Sequence, residues 1–196
     1  EWFANNGKGL DPTMMGHTDE ENEQFLALSP KIKEAFQRYH MQYHLSDSFY
    51  RDAHHNQIGF HIDEAVLAPL YYGYGDDGEY AGRSWFARLL EHEITEKAPD
   101  TVLILVKADP DVIKNRSTET PHPFSLLEEK DIEKVVDGYA KQFEMSFIRN
   151  KFEIDTGNNT IEDCLKEFAE KIEPMMTEED RLRTIRQQLC NMETSS

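Results

Sequence analysis

The chain has 196 residues, with 38 Asp and Glu against 21 Lys and Arg, a formal net charge of −17. An excess of that size repels a phosphate backbone and argues against non-specific binding to nucleic acid. The longest apolar run, residues 101–106, is far short of the roughly 20 residues a membrane span needs.

Cys164 and Cys190 are the two cysteines. They cannot make a disulfide framework, and a reducing, cytoplasmic setting fits them. No basic segment leads into an apolar one, so no signal peptide is expected. The chain begins at Glu1 rather than Met and reads as a processed or truncated piece. Its length predicts one domain over 1–176, followed by a helical tail over 177–196.

In chain order, residues 1–16 hold Asn5-Asn6-Gly7 and Asp11-Pro12 and read as loop. Thr18-Asp19-Glu20-Glu21 is a capping box that opens a helix to about residue 28. Ser29 as cap and Pro30 in the first turn start a second helix, predicted over 30–52. Ile32, Phe36, Tyr39, Tyr43 and Tyr50 recur along it at near-helical spacing, and this stripe is expected to be core or pocket wall. Residues 57–61 read as a short strand, 63–70 as a short helix and 71–78 as a Gly- and Asp-rich loop.

A helix over 84–98 places Trp85, Leu89 and Leu90 on one side. Residues 101–106 are apolar throughout, as in a parallel strand covered on both faces. Asp109-Pro110 starts a helix to about 116, and 117–123 is a polar loop. Ser125-Leu126-Leu127-Glu128 is a second capping box, predicting a helix to about 149. A strand over 151–155, a helix capped by Thr160 and an amphipathic helix from 177 with Leu182, Ile185 and Leu189 complete the chain. Strands separated by helices predict an α/β fold with three layers, helix–sheet–helix, around a mostly parallel sheet.

Chemistry-bearing residues collect where strands are predicted to end, which is where open α/β sheets bind ligands. His61, Asp63 and Glu64 follow one end, although two acids also suit the first turn of a helix. Asp155 and Thr156 follow another. The loop between the helices predicted at 110–116 and 125–149 carries Arg116 and His122, and arginine grips phosphate bidentately; a helix-ending arginine in a solvated loop is the plainer reading. His40, His44, His54, His55 and His61 fall close together, and the first two share a helix face. That spacing can hold a metal, but it lacks the Glu of a metalloprotease helix. Cys164 reads as buried and inert. There is no G-x-x-x-x-G-K-[ST], no G-x-S-x-G and no G-x-G-x-x-G.

The run Phe60-His-Ile-Asp-Glu-Ala-Val-Leu-Ala-Pro-Leu-Tyr-Tyr-Gly-Tyr-Gly75 is followed by the strand over 102–107 and by Asp109-Pro-Asp-Val-Ile113 with Arg116. With Leu127–Ile132 and Asn150–Thr156, this order resembles P-loop nucleotide kinases of the thymidylate kinase and deoxynucleoside kinase type, over roughly residues 55–172.

The resemblance implies phosphoryl transfer from ATP with Mg²⁺ to a nucleoside or nucleoside monophosphate. It implies Glu64 and Asp63 near the acceptor and Phe60, His61, Tyr71, Tyr72 and Arg83 around the acceptor pocket. It also implies Arg116 in a lid over 117–126 and Asp155 and Thr156 beside the adenine. It implies a homodimer through the helix bearing Trp85, Phe86 and Leu89. Two departures stand out. The family's Walker A segment is not present in this chain, and Ile58-Gly59 stands where the family carries Asp-Arg. A catalytically inactive nucleotide-binding or scaffolding relative is the alternative reading, and a histidine-based metal enzyme is a second.

Overall fold

Capping residues set most helix starts. The computed structural model describes residues 18–46, 57, 58, 60–78, 81–121 and 126–194. Thr18 Oγ1 accepts from the Glu21 N–H, and Glu21 answers by accepting from the Thr18 N–H at 2.7 Å, opening α1 (Asp19–Ala27). Pro30 occupies the first turn of α2 (Pro30–His44), where its missing N–H costs nothing. The same box logic, with Thr160 and Asp163, opens α7 (Ile161–Ile172).

Two expectations around residue 50 are corrected. Helix α2 stops at His44 rather than 52, where Leu45 leaves the helix and its carbonyl accepts from Lys97 Nζ at 2.7 Å; residues 47–56 lie outside the described ones. No strand forms over the described part of 57–61. Phe60 leads directly into α3 (His61–Leu67), its carbonyl accepting the first helical N–H, from Glu64, at 3.2 Å. Asp63 and Glu64 then lie in the helix's first turn, where the dipole favours negative charge.

A π-turn over Ala68–Tyr72 continues α3 until Gly73 adopts φ +77. Gly75 has φ +99, and a Cβ there would come within 2.6 Å of the Arg83 side chain, so this turn tolerates only glycine. Helix α4 (Arg83–Lys97) and strand β1 (Val102–Lys107) follow, then α5 (Pro110–Glu119). Helix α6 (Ile132–Met145) is shorter than predicted. A 3₁₀ turn over Glu129–Asp131 precedes it, and it ends where Ser146 becomes extended; Ser125 lies outside the described residues. Strand β2 (Asn150–Asp155), α7 and α8 (Glu178–Thr194) complete the order.

The protein is mostly helical, and β1 and β2 form a two-stranded parallel sheet with Val102 opposite Asn150 and Lys107 opposite Asp155. This is compatible with an α/β fold, but the described residues form two strands where three were predicted. Helix α6 packs against β1 and α7 against β2, with Phe168 on Phe152 at 6.2 Å. Helix α3 lies between α4 and α6. The core gathers Met41, Leu45, Leu90, Ile94 and Ile148, with Phe60, Phe86 and Leu103 packed on it.

The aromatic stripe of α2 is the clearest reversal. Ile32, Phe36, Tyr39 and Tyr43 face outward, Tyr39 being 73% exposed. The inward face is polar and carries Lys33, Glu34, Met41 and His44. The reason lies on α4, which buries Arg83, Arg88 and Glu91. A buried guanidinium needs a carboxylate, and Glu34 supplies one to Arg83.

Glu91 is fully buried and accepts four bonds: from His61 Nε2 at 3.0 Å, Arg88 Nη2 at 3.0 Å, Ser146 Oγ at 2.7 Å and the Phe147 N–H at 2.8 Å. Burial pushes its carboxyl up, but the bonds from His61, Phe147 and Ser146 outweigh that and hold it below the ordinary range. It joins α3, α4 and the turn after α6. Glu91→Ala would leave buried Arg88 without its carboxylate, held only by the Gln142 carbonyl, and the Phe147 N–H without its acceptor, a loss of about 3–5 kcal/mol. Urea denaturation measures it, and a loss under about 1 kcal/mol would show that the hub holds nothing together.

Candidate functional site

A hollow of about 120 Å³ lies between α2 and the start of α3. Helix α2 lines it with Gln37, His40 and Met41, one turn apart; Phe60, Asp63, Glu64 and Tyr72 close the other side. Its walls are an aromatic pair, one amide and two carboxyl groups. Met41 and Leu67 add apolar surface and His40 an imidazole; the mixture is that of small-molecule sites, at a volume below their usual range of roughly 300–1,000 Å³.

Consecutive helix positions send Asp63 and Glu64 in different directions. Asp63 faces Tyr139 of α6. Burial raises its carboxyl, with Tyr139 and the His61 charge opposing. Glu64 turns toward α4: the Tyr74 hydroxyl donates to its Oε1 at 2.6 Å, and Arg83 Nε lies 3.1 Å from the same oxygen. Burial drives Glu64 up to about 7. Tyr74 and Arg83 pull it down, while the Glu34 carboxylate pushes it further up. The Tyr74 hydroxyl is itself raised, by burial first and then by the Glu64 charge.

Arg83 is 1% exposed. Its Nη2 donates to Glu34 Oε1, which also accepts from Arg38 Nη2 at 2.5 Å. The guanidinium lies over the Tyr74 and Phe86 rings at 5.1 and 4.6 Å from their centroids. Two carboxylates thus share one buried cation. The arrangement ties α2, α3 and α4 together and fixes the floor of the hollow.

Of the residues singled out in the sequence, His40, Phe60, Asp63, Glu64 and Tyr72 meet at this hollow, and Arg83 reaches Glu64 without lining it. His61 turns away and is buried on Glu91. Tyr71 points to the turn before α6, donating to Asp131 at 3.1 Å and accepting from the Glu128 N–H at 3.3 Å.

Arg116, Asp155 and Thr156 form a separate cluster at the carboxyl ends of the strands. Arg116 donates to Thr156 Oγ1 at 3.0 Å and to its carbonyl, while the Thr156 N–H donates to the Lys107 carbonyl at 2.8 Å. Asp155 Oδ1 accepts from the Gly157 N–H at 2.8 Å. No hydrogen bond or ion pair among the described residues joins this cluster to Glu64 or Asp63.

Residues 117–119 of the expected lid finish α5, and 122–125, with His122, lie outside the described residues, as does Gly59. Ile58 is 68% exposed. Cys164 is half-buried rather than fully buried. The basic residues of this region divide. Arg83 and Arg88 are spent on internal pairs, Lys151 Nζ donates to the Phe143 and Glu144 carbonyls, and Arg116 keeps an exposed guanidinium.

His40 and His44 pack edge to face at 4.7 Å, and His54 and His55 fall outside the described residues. Among the described residues no group of three or more His, Cys, Asp or Glu could hold a metal ion, and no helix is long and apolar enough to cross a membrane.

Glu34, Gln37 and Tyr74 were not anticipated. Their signal was the spacing of Glu34, Gln37, Met41 and His44 along one face of α2, which the aromatic stripe opposite overshadowed. Compared with family models, curated proteins and solved structures, the chain matches none.

Glu64 sets a pH dependence whose sign follows from its raised value. An acid that binds its proton more tightly when folded stabilises the fold most below its unfolded pKa, near 4.5. That contribution is lost as pH climbs through about 7. At 1.36 kcal/mol per unit the loss is about 3 kcal/mol. Denaturation between pH 4.5 and 8 should show it, and Glu64→Gln should flatten most of the slope, leaving the part due to Asp63. An unchanged slope in the variant would place the titration elsewhere.

Proposed function

We propose that the protein is a nucleotide-kinase-like phosphotransferase that binds a nucleoside or nucleoside monophosphate in the hollow between α2 and α3 and transfers to it a phosphoryl group from ATP with Mg²⁺, in a three-layer α/β fold of the P-loop type. The observation that carries this reading is the pairing of an aromatic wall, Phe60 and Tyr72, with the Gln37 amide and the Glu64 carboxyl at one hollow. A planar base fits between aromatic faces and has an edge for an amide to read. A sugar hydroxyl suits a carboxylate.

Glu64 is suited to act as the base. Tyr74 and Arg83 both engage Oε1, which leaves Oε2 for a guest. Its pKa near 7 matches a proton acceptor working at neutral pH. In the proposed step Glu64 takes the proton of the acceptor hydroxyl as that oxygen bonds to phosphorus and the leaving phosphate departs with the bonding pair.

Arg116 has no carboxylate partner among the described residues and is steadied by Thr156, so its guanidinium suits a phosphate oxygen. The sequence holds no glycine-rich phosphate loop. Mg²⁺ needs only one or two carboxylates beside phosphates, so the lack of a described metal cage does not argue against it. What these residues build is the acceptor side, and ATP and Mg²⁺ belong to the reading through the resemblance.

Exposed Ile58, standing at the expected acidic position, favours a second reading in which the same hollow binds a nucleotide without turnover. Incubation with ATP, Mg²⁺ and a panel of nucleosides and monophosphates, followed by ADP measurement, separates the two. Turnover should appear with at least one acceptor, rise through pH 7 and fall by about 10²–10⁴ in Glu64→Gln. Calorimetric binding without ADP supports the second reading, and neither binding nor ADP overturns both.

A further inference from the structure

Strand β1 has the sequence of an inner strand and the position of an outer one. Its run Val102-Leu-Ile-Leu-Val106 is aliphatic throughout, a pattern that belongs to parallel strands covered on both faces and flanked on both edges. Among the described residues it pairs with β2 alone, and Val106 is 62% exposed. Outer strands are normally blunted by charge, proline or a bulge, because an open row of N–H and C=O groups recruits another strand. Strand β2 follows that rule, alternating Lys151, Glu153 and Asp155 with Phe152 and Ile154. Between Val102 and Val106 β1 carries no such guard. A sheet of two strands is also at the lower limit of what sheets sustain.

We propose that the open edge of β1 pairs with β1 of a second copy of the chain, antiparallel about a two-fold axis, giving a four-stranded sheet in the order β2–β1–β1–β2. Identical surfaces meet around a two-fold axis when a patch is self-complementary, and the charges at the two ends of this strand make it so. Asp100 lies just before the strand, and Lys107, exposed and bonded to Glu153 of β2, closes it. An antiparallel twin sets each Lys107 beside the partner copy's Thr101 and Asp100. A parallel neighbour of the same sequence would set the two lysines together. With the axis through Ile104, Val102 stands opposite Val106 of the other copy, so each strand keeps its faces and the exposed Val106 gains an apolar neighbour. The proposal does not depend on the phosphotransferase reading.

Light scattering coupled to size exclusion tests it. The wild-type chain should run at twice 22.8 kDa, with amide exchange across 102–107 slowing as concentration rises. Val106→Lys alters a side chain already in solvent, so its circular dichroism should match wild type while it runs as a monomer. Lys107→Glu should weaken the dimer about tenfold, since like charges opposite one another on paired strands are destabilising. The double variant Asp100→Lys, Lys107→Glu should restore it. A wild-type monomer at all concentrations overturns the proposal. So does a dimer indifferent to Val106→Lys, or one lost instead in Trp85→Glu on the outer face of α4.

Discussion

Helix α4 buries three charged side chains, Arg83, Arg88 and Glu91, on its inward face, and most of the packing follows from neutralising them. Removing an ion from water costs several kcal/mol unless a counter-charge and further hydrogen bonds meet it inside. Arg83 draws Glu34 from α2 and Glu64 from α3. Arg88 and Glu91 meet each other and take up His61, the Gln142 carbonyl and the turn after α6. Three helices and a turn are therefore held to α4 by directional contacts, and the apolar cluster around Leu90 and Ile94 fills the space between. An apolar α4 would pack as tightly without selecting these neighbours.

The same constraint tunes the hollow. Arg83 answers two carboxylates; Glu34 has Arg38 as well, while Glu64 has only its share of Arg83 among the described residues. Burial then dominates at Glu64 and its proton stays on to about pH 7. The cost of ordering α2 against α4 is thus partly recovered as a poised acid–base group. It also explains how a chain of charge −17 can have few cations available at its surface near the site. Two of its arginines are consumed inside, which leaves Arg116 as the guanidinium best placed at the strand ends.

Backbone chemistry was legible in the sequence wherever one residue decides the outcome. Thr18 and Thr160 start helices because their hydroxyls satisfy amides that nothing else reaches, and Pro30 and Pro110 begin helices for the matching reason. The position of β1 was readable to within a residue from its aliphatic run. The orientation of α2 was not. Periodicity assigns the apolar stripe to the interior, yet Tyr39 and Tyr43 point out because Glu34 must point in. Nothing local to α2 announces that requirement, since it originates 49 residues away at Arg83. Asp63 and Glu64 were legible as a pair and Tyr72 as their neighbour. Gln37 and Tyr74 were not, because their roles depend on how α2 is turned and on the Gly75 bend. The strand expected at 57–61 failed for a similar reason: Phe60 and His61 are apolar enough for a strand, but the two acids that follow favour a helix start.

One consequence reaches beyond the core. A buried ionic framework orders α2, α3, α4 and α6 without help from the sheet, so the sheet is not required to close the fold on its own. That freedom lets β1 keep an unguarded edge, and it lets α7 leave Ile161 and Leu165 largely in solvent, 81% and 62% exposed. In a protein stabilised chiefly by its sheet, such surfaces would be paired within the chain or blunted by charge. Here the buried charges of the helical half meet counter-charges inside, although His61 Nδ1, Arg83 Nη1, Arg88 Nε and Gln142 Oε1 make no hydrogen bond, and among the described residues β1 pairs with β2 alone, which concentrates the potential for association along β1.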